Sequence, residues 1–333
     1  MNLELSFIIP VYNRPQEVEE LLESFTRLET TSNYEIVIVE DGSNISSEAV
    51  VYSYASRLNI SYYFKANSGP GDSRNYGMSK AKGNYFIILD SDCVLPSDYI
   101  DQVEAGLKAD YVDCFGGPDA AHDDFSNLQK AINFAMTAFM STGGIRGGKR
   151  GVGKFQPRSF NMGLSRKAFE ATGGFGKIHP GEDPDLSIRL WHLGFKTKLI
   201  SEAKVFHKRR ISWYKFHTQV FKFGQVRAIL NQWHPETKAI TYWFPSLFCI
   251  GFIVAIILLF FQFNWLFFLY VVYFGLAFIN SLWTTKNIVV SFMSLIAIAV
   301  QFFGYGYGFL KATFFIRFLK KDPQKTFPKL FFN

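Results

Sequence analysis

Apolar residues in the first two thirds of the chain fall into short, mostly apolar runs closed by polar or glycine-rich segments. The runs are Leu5 to Val11, Tyr34 to Val39, Ile60 to Phe64 and Tyr85 to Leu89. The last has no polar alternation, the pattern of a strand buried on both faces of a parallel sheet. Between the first two runs, Val18, Leu21, Leu22 and Phe25 recur at helical spacing. Strand, helix and strand make a right-handed crossover unit, which sets Tyr12, Asp41 and Asp90 at one edge of the sheet. Pro10 lacks an N–H, so the first ladder is expected to end there. Gly69 to Gly77 reads as a turn leading into the helix before the Tyr85 run. Further on, Asp183 followed by Pro184 reads as an N-cap with proline at the first helical position. Leu186, Leu190 and Leu193 continue that helix until Gly194 closes it. Phe195 to Phe206 reads as a final strand.

The pattern then changes. Ile211 to Leu230 mixes aromatic residues with Lys215, Lys222 and Arg227, as an amphipathic helix at a membrane interface does. Three apolar stretches follow, Tyr242 to Phe263, Trp265 to Trp283 and Ile288 to Leu310. Each has about the 20 residues a spanning helix needs. Gly304 and Gly308 have the small-xxx-small spacing of a helix-packing face, or simply fit between interfacial Tyr305 and Tyr307. The expected division is therefore residues 1–210 as an α/β domain, 211–238 as an interfacial helix, 239–316 as membrane helices and 317–333 as a basic tail. Lysine and arginine flank the apolar region on both sides, which favours the same side for both ends. Three full spans would separate those ends, so either one stretch is re-entrant or interfacial, or the charge bias is overridden.

Composition adds less. The net charge of +7 fits an anionic partner, and equally the positive flank of a membrane protein. Nucleic acid is not expected as a partner, since no binding motif for it occurs. Cys93, Cys114 and Cys249 have no metal-ligand spacing, and their odd number argues against a disulfide framework. That suits a reducing environment. The start, Met1 to Pro10, runs straight into a strand without a signal-peptide pattern.

The chemistry concentrates at Asp90-Ser91-Asp92, after the buried run. Residues two apart on an extended chain point the same way, so both carboxylates can converge beyond the strand ends, where α/β sheets bind ligands. Adjacent carboxylates favour a cation between them, and hard oxygen ligands suit Mg²⁺ or Mn²⁺. The triplet alone reads better as a solvated turn. Thr142 to Pro157, rich in glycine and basic residues, reads either as a lid closing on a diphosphate or as a connection near acidic lipid.

Four blocks in order carry a resemblance: Ile9-Pro10-Val11-Tyr12-Asn13, Glu40-Asp41-Gly42-Ser43, Arg74-Asn75-x-Gly77 and Leu89-Asp90-Ser91-Asp92. Together they resemble the nucleotide-sugar half of the family 2 inverting glycosyltransferases, with the A-type α/β fold and its mainly parallel sheet. Phe160 to Phe169 and Gly181-Glu182-Asp183 resemble the acceptor half. The resemblance implies a nucleotide-diphosphate sugar donor held by Pro10, Tyr12, Asp41, Arg74, Asp90 and Ser91. It implies Mg²⁺ or Mn²⁺ bound by Asp92 and Asp90, with His207 as a further ligand. Gly163 matches the glycine turn near the donor sugar, Glu182 lies on the acceptor side, and Asp183 matches the catalytic base. The Gln-x-x-Arg-Trp motif of processive synthases is absent; Phe223-Gly224-Gln225-Val226-Arg227 stands in its region, leaving Arg227 as a candidate partner of the diphosphate. A hexosyl transfer to a lipid-linked or surface saccharide or glycolipid is implied, on a bacterial inner membrane with the catalytic domain in the cytoplasm. A catalytically dead donor-binding scaffold and a sugar-phosphate nucleotidyltransferase stay open as alternatives.

Overall fold

The computed structural model describes residues 3–120, 125–142, 154–207 and 212–332. The Gly- and Lys-rich stretch expected to act as a lid or connection lies, at residues 143–153, outside the described residues. The chain divides into two compact units. One comprises Met1–His122, Lys154–Arg209 and Phe331–Asn333, the other Asp123–Gly153 and Arg210–Leu330.

The first unit alternates β1 (Leu5–Val11), α1 (Pro15–Phe25), β2 (Tyr34–Asp41), α2 (Glu48–Tyr54), β3 (Ile60–Lys65), α3 (Pro70–Lys80) and β4 (Tyr85–Leu89). Then come β5 (Cys93–Val94), α4 (Tyr99–Ala109), β6 (Cys114–Gly116) and β7 (Asp119–Ala120). After α5 (Asn127–Thr137) and α6 (Phe139–Thr142), which belong to the second unit, the first resumes with β8 (Asn161–Ser165), α7 (Arg166–Thr172), α8 (Glu182–His192), β9 (Thr197–Leu199) and β10 (Val205–His207). The main sheet has the order β3-β2-β1-β4-β8-β6-β9, and a smaller one β5-β10-β7. In the main sheet pairing is parallel except where β8 meets β4 and β6; in the smaller one β10 runs antiparallel to β5 and parallel to β7.

Both faces of the main sheet are apolar because successive side chains alternate between two cores. Phe7, Ile9, Ile36, Ile38, Ile87 and Leu89 face α1 and α4. Ile8, Val37, Val39, Phe86 and Ile88 face α3, α7 and α8. Gly77 lets α3 close on the sheet, since a Cβ there would lie 2.7 Å from Ile8. This two-sided burial produces the mostly apolar runs.

Several local expectations need correction. Pro10 lies within β1, which stays paired with β2 as far as Val11 against Glu40; only the β4 ladder stops, at Ile8. One missing donor thus leaves the strand intact. The Gly69–Gly77 segment is no turn: Gly69 is the N-cap and Pro70 opens α3, because proline's fixed φ suits the first helical position. Phe195–Phe206 forms two strands, β9 and β10, in different sheets, with a turn at Ser201–Glu202 between them.

The second unit holds α5, α6, α9 (Trp213–Trp233), α10 (Phe244–Phe260), α11 (Trp265–Thr285) and α12 (Ile288–Thr313). Three helical stretches, Ile240–Phe260, Trp265–Thr285 and Ile288–Phe318, are long and apolar enough to cross a membrane. The helix α9 packs closely on α12. Glycines permit this approach: a Cβ on Gly224 would lie 2.2 Å from the Tyr305 carbonyl, and one on Gly308 2.2 Å from that of Phe221. The spacing of Gly304 and Gly308 is therefore a packing face, since a Cβ on Gly304 would meet Val220 at 2.6 Å.

Candidate active site

β1 lies between β2 and β4, so the chain turns opposite ways from the ends of β1 and β4. Such a switch point is where open α/β sheets bind ligands. Tyr12 emerges there half-exposed, at 51%. Asn13, at φ 55°, folds back. Its Oδ1 accepts from the amides of Asn44 (2.8 Å) and Ile45 (3.0 Å), tying the loops after β1 and β2 together. Asp41 ends β2 and is buried. Its Oδ1 accepts from Lys65 Nζ at 2.7 Å and the Ser68 amide at 3.0 Å, and its Oδ2 from the Gly69 amide at 2.9 Å. Asp41 thereby anchors the whole approach to α3.

Asp90 and Asp92 sit on a turn, not an extended segment, with buried Ser91 between them. Each carboxylate has its own guanidinium. Arg74 Nη2 donates to Asp90 Oδ1 at 2.8 Å, and Arg14 pairs with Asp92 through Oδ2. Repulsion between the two is therefore already met by arginine, which the premise of one shared cation overlooked. The backbone of His207 pairs with Cys93, the residue directly after Asp92. Two carboxylates on one turn are oxygen ligands of the kind a hard divalent ion takes.

The acceptor-side pair stands at the head of α8. The N-cap is Gly181, at φ 124°, and not Asp183; Glu182 is already helical. Glycine adopts that φ readily, which moves the helix start two residues earlier than the Asp-Pro signal implied. Arg74 Nη1 donates to Glu182 Oε1 at 3.3 Å, and His179 Nδ1 lies 2.8 Å from the same oxygen. Burial alone would raise the Glu182 carboxyl, but His179 and then Arg74 outweigh it and hold it well below the usual range. Asp183 is moved the other way. Burial and then the charge of Glu182 push its carboxyl up, against the pull of Arg74 and Arg158. Its Oδ2 accepts from the Ser159 amide at 3.2 Å, and its buried Oδ1 has no hydrogen-bond partner among the described residues. An ionised carboxylate beside one whose proton is held more tightly is how acid–base roles are separated.

Arg74 joins the two halves, with one nitrogen on Asp90 and another on Glu182. Two further expected site residues have their own settings. Gly163 is in the middle of β8 rather than in a turn, and its missing Cβ makes room for the Phe115 ring, 2.0 Å from where that atom would sit. Arg227 belongs to α9, with its guanidinium 4.3 Å from the Tyr242 ring centroid and Nη1 without a hydrogen-bond partner among the described residues. The sequence reading assigned no role to Arg14, Lys65, Ser159 or His179. The Asn13-Arg14 step beyond β1 was a signal for the first; the others are joined to their carboxylates only by the fold.

The family model described as "Glycosyl transferase family 2" matches residues 6–173, which ends before Glu182. An uncharacterized glycosyltransferase of Rickettsia felis is 38% identical over 105 residues, 32% of this chain and 17% of that protein. The chain thus matches well under two thirds of that relative's length. Among solved structures, the mannosyltransferase PcManGT of Pyrobaculum calidifontis, in complex with GDP-Man and Mn²⁺, is similar with a TM-score of 0.61 and 14% identity, covering 94% of this chain and 87% of that one. S. aureus TarS in complex with UDP-GlcNAc is similar at 0.51 and 15% identity, covering 93% and 91%. These two likenesses concern the fold.

Proposed function

Because the chain belongs to glycosyl transferase family 2, we propose that it moves a hexose, with inversion, from a nucleotide-diphosphate sugar to an acceptor hydroxyl. The observation that carries this reading is the bridge made by Arg74. It couples the donor-side Asp90 to the acceptor-side Glu182, next to an Asp183 carboxyl with a raised proton affinity and an unpartnered oxygen. Asp183 accepts the acceptor's proton as the new glycosidic bond forms and the bond to the diphosphate breaks on the opposite face of the sugar. No covalent intermediate is needed. Ser159 holds Asp183 by its second oxygen, and Arg74 keeps Glu182 ionised and in place.

Asp92 and Asp90, with His207, would hold Mg²⁺ or Mn²⁺. When bound, the ion supplies positive charge to the departing diphosphate. Tyr12 and Asp41 take the nucleoside end, Tyr12 as an exposed ring and Asp41 through the loop it anchors. Two proteins sharing this fold hold GDP-Man with Mn²⁺ and UDP-GlcNAc in their crystals, which supports a nucleotide-sugar donor. The three long apolar helices support a membrane-bound enzyme; the proposal puts its catalytic unit in the cytoplasm and gives it a lipid-linked or surface saccharide as acceptor.

The test is a donor screen on the full chain in detergent, with UDP-GlcNAc, UDP-glucose and GDP-mannose, each with and without Mn²⁺. The expected product is nucleoside diphosphate, with the transferred sugar inverted at its anomeric carbon. Release of pyrophosphate instead would identify a nucleotidyltransferase, and retention at the anomeric carbon would exclude Asp183 as the base of a single displacement.

A further inference from the structure

The segment Phe331–Phe332 returns to the catalytic unit, although 121 preceding residues, Arg210–Leu330, belong to the other. Phe331 pairs with Ile178 in an antiparallel bridge, and the Phe332 amide donates to the Lys177 carbonyl at 3.1 Å. This short pairing sets the Phe332 ring between two loops of the candidate site. On one side is Gly69, where a Cβ would lie only 2.3 Å from the ring. Gly69 is the residue whose amide Asp41 holds at 2.9 Å and from which α3 and Arg74 start. On the other side is His179, its ring centroid 5.8 Å from that of Phe332 and its Nδ1 2.8 Å from Glu182.

We propose that Phe332 is a positioning residue for sugar transfer, a wedge that fixes the Gly69 turn on the donor side and His179 on the base side. The proposal rests on the reading of Asp41 and Asp183 given above. The ring adds to the hold of Asp41 on one loop and packs beside the other. Gly69 has the freest backbone of any residue, at φ 92°, and the His179 side chain is 41% exposed. A ring that excludes water from both restricts them together. The absence of a Cβ at Gly69 gives the ring its seat, so the glycine serves this contact as well as the helix start. Through His179, the wedge keeps the Glu182 carboxylate directed at Arg74. Misplacing a catalytic group by about an ångström can cost roughly 100-fold in rate, so the contact matters although Phe332 touches no reacting atom.

The test compares wild type, Phe332→Ala and Phe332→Tyr in the full detergent-solubilised chain. Amide hydrogen exchange, read without any donor, should quicken in Phe332→Ala at residues 66–71 and 177–183 and stay unchanged in β1 and β2. Turnover of UDP-GlcNAc or GDP-mannose by the folded protein should fall roughly 10-fold or more in kcat, with KM for the donor raised. Phe332→Tyr, which keeps the ring, should restore both. Unchanged exchange at either segment would overturn the proposal. So would unchanged kcat in a well-folded Phe332→Ala, which would make the ring mere packing, or a faster Phe332→Ala, which would make it an obstruction. A wild type inactive on every donor would instead overturn the functional reading, while the exchange result would still judge the wedge.

Discussion

Glu182 and Asp183 are chain neighbours whose carboxyls are displaced in opposite directions, down by His179 and Arg74 and up by burial and the Glu182 charge. The two shifts have different consequences for stability. A carboxyl raised in the folded state binds its proton more tightly there than in the unfolded chain. The charged form then costs stability above the raised pKa, and that cost disappears below the ordinary carboxylate range. Asp183→Asn should therefore be more stable than wild type at pH 8 and gain little at pH 4, as denaturant unfolding at the two values would show. Glu182 has the opposite sign: its stabilisation is present above the ordinary carboxylate pKa and is lost as pH falls through its depressed one. Removing Arg74 leaves Glu182 buried with less compensation and Asp90 without its guanidinium partner. Arg74→Ala should cost about 3–5 kcal/mol. Arg74→Lys should recover only part of this, since one ammonium lacks the planar fork that spans both carboxylates; unfolding midpoints of the two variants test this. The sequence order singled out Asp41, Asp90 and Glu182-Asp183 as candidates. Their partners were not legible, because Arg14 reaches Asp92 across 78 positions and Arg74 reaches Glu182 across 108.

At the scale of elements, two-sided burial made the strands the most readable part of the chain. β4 coincides with the Tyr85–Leu89 run because every one of its residues is buried. Helix starts were read less well where glycine took the cap. Gly69 and Gly181 both occupy positive φ, and neither has a side chain to announce a cap, so α3 and α8 begin earlier than polar signals suggested. Since Asp183 makes no capping hydrogen bond, its replacement removes a charge and not a cap. In the helical unit Gly304 and Gly308 of α12 were legible as a spacing, but their partner α9 was not. Their fit gives a direct prediction. Gly308→Leu, whose Cβ would meet the Phe221 carbonyl at 2.2 Å, should push the two helices apart and destabilise the unit by roughly 1–3 kcal/mol. Gly275→Leu, where nothing lies within 4 Å of an added Cβ, should leave the melting temperature of the detergent-solubilised protein unchanged. Equal melting temperatures for both variants would remove the close-packing account.

For the whole molecule, the return of Phe331 to the sheet unit bears on the conflict between charge bias and three apolar stretches. A folded unit occupies one side of a bilayer. A chain that leaves it after β10 and rejoins it at Ile178 must cross an even number of times. If these helices enter a bilayer, we predict that one of the three is an incomplete crossing and that the basic flanks on either side of them face the same compartment. Single cysteines at Ser212 and Lys329, in a background lacking the three native cysteines, should both be labelled by an impermeant thiol reagent from the side that also labels the catalytic unit; labelling from opposite sides would contradict this. The central claim remains that this family 2 glycosyltransferase uses Asp183 as its base. The most direct measurement is the transfer rate of Asp183→Asn beside its affinity for the same donor, on full-length protein with Mn²⁺. The account predicts donor binding within a few-fold of wild type and transfer slowed by about 10²–10⁴-fold. Transfer at near the wild-type rate by a folded, donor-binding Asp183→Asn would contradict it.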